Sequence, residues 1–165
     1  MATLTFDGNA IPTEINETTN ATWSVSDGAL RVSNVTSGGN AEAVIAASAS
    51  GVFSGIFHTE NVSSFGNIGF NFKRTASDDW VAVLYSFTNE QVRVLEKRNG
   101  GSTIELASAS VSTTVSGQFS LDVTISPSGL YTVAIDGVEV VTANSTYNSN
   151  ISGVNPLSIN IFLIL

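Results

Sequence analysis

Apolar and polar positions alternate most regularly between Gln118 and Thr142. Phe119, Leu121, Val123 and Ile125 interleave with Ser120, Asp122, Thr124 and Ser126, the period of a half-buried strand. Pro127-Ser128-Gly129 then turns the chain, proline presetting φ and glycine accepting a positive φ. Tyr131, Val133 and Ile135 form the next inward set, and Asp136-Gly137 is a two-residue hairpin signal. Such a turn sets Ile135 opposite Val138, with Val140 following on the same face. The pattern predicts a three-stranded meander with an unbroken apolar face.

The rest of the chain repeats this grammar. Leu4 and Phe6 alternate with threonine and predict a first strand over Ala2 to Asp7. Trp23-Ser24-Val25, the Asp27-Gly28 turn and Leu30-Arg31-Val32 predict a short hairpin. Ala41 to Ser50 mixes alanine, which favours helix, with Val44-Ile45; between all-β neighbours it reads as a strand. Phe53 and Phe57 mark another strand. Ile68, Phe70 and Phe72 form an inward face opposite Gly69, Asn71 and Lys73. Trp80 to Phe87 is apolar on both faces, which predicts a central strand covered on both sides. Val92 and Val94 follow an Asn89-Glu90 turn, and Asn99-Gly100-Gly101 turns into Ile104 and Leu106. A polar loop over Asn144 to Gly153 precedes a closing strand, Leu157 to Leu165. About 12 or 13 strands with turn signals between them predict an all-β, antiparallel, two-sheet jelly-roll sandwich. One domain over residues 1–165 suffices at this length.

Composition narrows the partners. Six basic against 14 acidic residues give a net charge of −8, so no cationic surface is expected for nucleic acid. There is no cysteine, which excludes disulfides, thiolate metal sites and thiol catalysis. Met1 to Asp7 lacks the basic and apolar regions of a signal peptide, so a chain with its initiator residue is expected. No run is long enough for a spanning helix, and no membrane partner is expected. Only 12% of residues are charged while 42% are hydrophobic, so Ser, Thr, Asn and Gly must cover much of the surface. That balance suits virion and extracellular β-proteins.

The segments WSVSDGALRV (23–32), IGFNFKRTASDDWVAVLY (68–85), VRVLEKRNGGSTIELAS (92–108) and LDVTISPSGLYTVAIDGVEVV (121–141) resemble, in that order, the concanavalin A-like lectin/glucanase superfamily, above all its laminin G-like sandwiches. The resemblance covers most of residues 23–141 and implies fold more than function. Its members include sugar binders, adhesion modules, hydrolases and virion proteins. In the glucanase branch it implies an E-x-D-x-x-E strand whose carboxylates flank the scissile bond. No such segment exists here. Asp78-Asp79 are adjacent and would point to opposite faces. Glu90 and Glu96 would stand about 20 Å apart on a strand.

The remaining candidates are few. His58, the one histidine, has no G-x-S-x-G elbow near it, since Gly51-Val52-Phe53-Ser54-Gly55 misses the spacing. Asp78 and Asp79 are calcium candidates by the resemblance, against the simpler role of capping a turn. Tyr147 and Trp80 are the ligand-binding candidates, because an aromatic face can stack on a sugar ring. The alternative for Trp80, as for Trp23, is core packing. The N-x-S/T triplets at Asn16, Asn20, Asn34, Asn61, Asn144 and Asn150 are those chance supplies in so Asn- and Ser-rich a chain. The segment INIFLIL carries no charged side chain, so it should be central in a sheet or covered by another subunit; Ile161, Phe162, Leu163 and Leu165 are the interface candidates.

These readings predict a non-enzymatic structural or interaction protein with no cofactor. The expected role is a bacteriophage capsid decoration or tail-associated component, working as a homo-oligomer and against capsid or tail proteins. The alternative is a carbohydrate-binding, lectin-like module, extracellular and with a glycan as partner.

Overall fold

The computed structural model describes residues 16–17, 22–26, 29–33, 40–47, 50–58, 67–73, 80–98, 100–111, 118–145 and 157–164. These residues form thirteen strands and no helix: β1 (Asn16–Glu17), β2 (Thr22–Ser26), β3 (Ala29–Ser33), β4 (Asn40–Ala47), β5 (Gly51–His58), β6 (Asn67–Lys73), β7 (Trp80–Ser86), β8 (Gln91–Lys97), β9 (Ile104–Ser110), β10 (Gln118–Ile125), β11 (Leu130–Ile135), β12 (Val138–Asn144) and β13 (Leu157–Ile164). No described helix is long and apolar enough to cross a membrane. The expected strand at Ala2 to Asp7 lies outside the described residues.

Every ladder is antiparallel. A seven-stranded sheet runs β1-β4-β13-β6-β7-β8-β9, a four-stranded sheet runs β12-β11-β10-β5, and β2-β3 is the separate hairpin. The small-residue run becomes β4, as its β neighbours implied. β13 lies between β4 and β6, so both of its backbone edges are hydrogen-bonded.

The two large sheets enclose one core. β6, β7 and β8 contribute Ile68, Phe70, Phe72, Val81, Val83, Tyr85, Val92 and Val94, and β10 and β11 contribute Phe119, Leu121, Val123, Ile125, Tyr131, Val133 and Ile135. Aromatic rings bridge the layers. Phe57 meets Phe70 edge-on with centroids 5.5 Å apart, and Phe72 meets Tyr131 at 5.9 Å. Each fully buried large side chain contributes about 1.5–3 kcal/mol, so these inward sets fix the register of both sheets.

The Asp136-Gly137 turn has positive φ at both residues, 49° and 76°, the primed geometry that matches strand twist. Ile135 does pair with Val138, but the apolar face does not continue unbroken. The register slips between Val133 and Ala134, so Ala134 faces Glu139 while Val133 faces Val141. This bulge inserts one extra residue into β12 and reverses its alternation. Val138, at the turn end of this edge strand, is 66% exposed, and the bulge lets Val140 and Val141 both pack partly against the core.

Candidate binding site

β7 explains where a site can form. Its odd-numbered residues Val81, Val83 and Tyr85 belong to the inter-sheet core. Ala82 and Leu84 are buried on the opposite face, with Trp80 and Leu95 packed partly over them. The seven-stranded sheet therefore carries a second, smaller apolar patch on the face turned away from the core. The expectation of a strand covered on both sides holds. Trp80, half-buried, belongs to this second patch and not to the inter-sheet core.

The ladders place polar residues around the patch. Trp80 pairs with Lys73 on one side and Lys97 on the other. Ala82 lies between Asn71 and Leu95, and Asn71 in turn pairs with Asn160 of β13. Leu84 lies between Gly69 and Arg93. Gly69 is required there: a Cβ would run into the Val83 carbonyl oxygen and sit 2.7 Å from Leu84 Cα.

Asn71 is the unusual member. It is only 8% exposed, and among the described residues its Oδ1 has no hydrogen-bond partner. A buried carbonyl oxygen left unsatisfied costs about 1–3 kcal/mol. It is an acceptor held beside an apolar patch, one diagonal position from Trp80, or about 7–8 Å along the sheet. Sequence reading put Asn71 on the correct face but did not single it out. The available signal was an amide on the non-core face of a strand that neighbours a doubly apolar one.

At the β8–β9 side of the same face, Arg93 Nε donates to Glu105 Oε2 at 2.6 Å, and Ser108 Oγ donates to Glu105 Oε1 at 2.7 Å. The Ser108 hydroxyl first, and then Arg93, hold the Glu105 carboxyl below its usual range. Of the carboxylates whose side chains are described, Glu105 alone lies on this face. Glu96 points the other way, buried, accepting from Ser145 Oγ and beside Arg98; Glu90 sits in the β7–β8 turn with φ 50°.

The other sequence candidates fall elsewhere. Asp78, Asp79, Tyr147 and Leu165 lie outside the described residues. No group of three or more metal-ligating side chains occurs among the described residues. His58 ends β5, paired with Gln118. Ile161, Phe162 and Leu163 occupy β13 register positions opposite Phe70, Gly69 and Ile68.

No family profile and no curated protein matches the sequence. Solved structures do. The carbohydrate binding module CBM66 from Bacillus subtilis aligns with a TM-score of 0.64 at 15% identity, covering 92% of this chain and 91% of its own. The carbohydrate recognition domain of Emp46p, in a metal-free form, aligns at 0.58 and 12% identity over 92% and 81%. A Bacteroides ovatus GH16 protein of a mixed linkage glucan locus, in complex with a glucan product, aligns at 0.56 and 9% identity over 91% and 71%. The fold is the concanavalin A-like jelly-roll sandwich that the sequence segments resemble.

Proposed function

We propose that this chain is a non-enzymatic carbohydrate-binding module, and that it takes its glycan on the face of the seven-stranded sheet bearing Asn71 and Trp80. The observation that carries the reading is the unpartnered, buried Asn71 Oδ1 beside a half-buried indole. A saccharide hydroxyl donates to such an acceptor once the covered oxygen is opened to it, and the apolar faces of sugar rings lie against indole. Likeness to a carbohydrate binding module and a carbohydrate recognition domain supports the same class. Glu105, the carboxylate on this face whose side chain is described, is engaged by Arg93 and Ser108, which fits a surface that binds rather than one that presents an acid and a nucleophile.

The virion role expected from composition has no structural observation behind it. The binding reading replaces it, with an extracellular setting as its natural counterpart.

The test is a glycan array followed by calorimetry on the best oligosaccharide. Binding should weaken at least tenfold in Asn71→Ala and in Trp80→Ala, with the far-ultraviolet circular dichroism unchanged. If no glycan binds, or if both variants bind as the parent does, the reading is wrong. Release of reducing ends from a bound glycan would overturn the non-enzymatic part.

A further inference from the structure

The two large sheets end in four described edge strands, and three of them carry features that discourage pairing. β1 has two residues, one of them Glu17. β9 carries Glu105 and a register slip in its ladder with β8. β12 carries Glu139 and the bulge against β11. Short length, charge and bulges are the usual means by which a sheet edge avoids a second strand. β5 has none of them. Its eight residues, GVFSGIFH, include no Asp, Glu, Lys, Arg or Pro. It pairs with β10 in uninterrupted register from Gly51 to His58. Two of its side chains, Val52 and Ile56, are 55% and 64% exposed.

The spacing of those two residues selects the occupant. Val52 and Ile56 stand two positions either side of Ser54. If a second β5 lies antiparallel with Ser54 opposite its own copy, each Val52 faces an Ile56 of the other chain. Both apolar pairs then form at once, which is the self-complementarity a two-fold interface requires. On the inner face Phe53 is set opposite Gly55, whose inner side is already filled by the Phe57 and Phe70 rings, so the two-fold contact rests on the outer face.

Charge permits this contact. In a chain of net charge −8, the nearest described acid on the outer face is Asp122, one strand in and bonded by Ser54 Oγ. Across the paired edges the two Asp122 residues would be three strand spacings apart, about 14 Å. That exceeds the roughly 8 Å screening length at physiological salt. We propose that β5 pairs with β5 of a second copy, joining two four-stranded sheets into one of eight strands. The proposal concerns the sheet opposite the glycan face and stands independently of that reading.

The test uses the full chain in sedimentation velocity and light scattering at micromolar concentration. The parent should run at twice the chain mass. Val52→Lys/Ile56→Lys should run at the chain mass, with unchanged circular dichroism. Because the chain has no cysteine, Ser54→Cys places a single thiol at the two-fold axis. It should yield a disulfide-linked dimer under mild oxidation, whereas Thr132→Cys, on the same sheet but away from the edge, should not. A monomeric parent overturns the proposal. So does a dimer that survives the double lysine variant, or one that the Ser54→Cys variant fails to cross-link.

Discussion

Ser145 Oγ donates to Glu96 Oε2 at 2.5 Å across 49 positions of sequence. Both residues are buried, Glu96 to 1% exposure. The bond ties the end of β12 to the end of β8, where the two sheets come together. Arg98 stands beside the other carboxylate oxygen. A buried carboxylate that loses a donor keeps its desolvation cost. Ser145→Ala should therefore lower unfolding free energy by about 1–3 kcal/mol. Glu96→Ala, which removes a buried side chain and its bond but leaves Arg98 38% exposed to solvent, should lower it by about 1–3 kcal/mol as well. Urea denaturation of the two variants checks both values. Equal stability of Ser145→Ala and parent would mean the bond contributes nothing.

Gly69→Ala tests how closely β6 and β7 approach. The added Cβ meets backbone, the Val83 carbonyl oxygen and Leu84 Cα, and no flexible side chain that could move aside. The strands must part, and Leu84 with them. A loss of about 1–3 kcal/mol is expected, the range of core overpacking, read as a lower urea midpoint. Because Leu84 underlies the Trp80 patch, the indole emission should shift as well.

Much of the sandwich was legible because inward residues are large and strictly alternate. Phe119 to Ile125, Tyr131 to Ile135 and Ile68 to Phe72 each announce a strand and its buried face. Asp136-Gly137 announces its own turn. The β12 bulge was not legible: one extra residue leaves no mark in a run as uniformly apolar as Val138, Val140 and Val141. Nor was the Glu96–Ser145 bond, since 49 residues separate its partners and both look like ordinary surface residues. For the site, Trp80 was visible as an aromatic that could stack. Asn71 was not, because its distinction lies in a missing partner, and that depends on the neighbours supplied by β7.

Glu105 gives the fold a pH dependence whose sign follows from its partners. Ser108 and Arg93 favour the ionised carboxyl, so its folded value lies below the ordinary 4.5. The stabilisation this supplies is complete above pH 4.5 and disappears as the pH falls through the lower folded value. Glu105→Gln should thus be less stable than the parent at neutral pH, and the difference should vanish in acid. The side chain is 39% exposed, so solvent and salt weaken the effect, and raising ionic strength should shrink it further. Denaturation curves across the acid range check the convergence. A difference that persists unchanged into acid would point to packing as its cause.

Asn71 should separate binding from stability. An acceptor buried without a partner is a cost carried by the unliganded fold, and a site residue that binds at the expense of stability is a familiar arrangement. Asn71→Ala removes the orphaned oxygen and leaves a small cavity at a buried position. Its thermal midpoint should equal or exceed the parent's, while affinity for the glycan falls at least tenfold. Trp80→Ala should behave differently, losing affinity and also stability, because the indole packs on Ala82 and Leu84. Calorimetry and thermal melts on the same preparations give both readouts. If Asn71→Ala melts well below the parent, its amide holds the sheet together through its nitrogen, and the residue is structural. If its midpoint holds and binding is lost, the unsatisfied oxygen is there for the ligand.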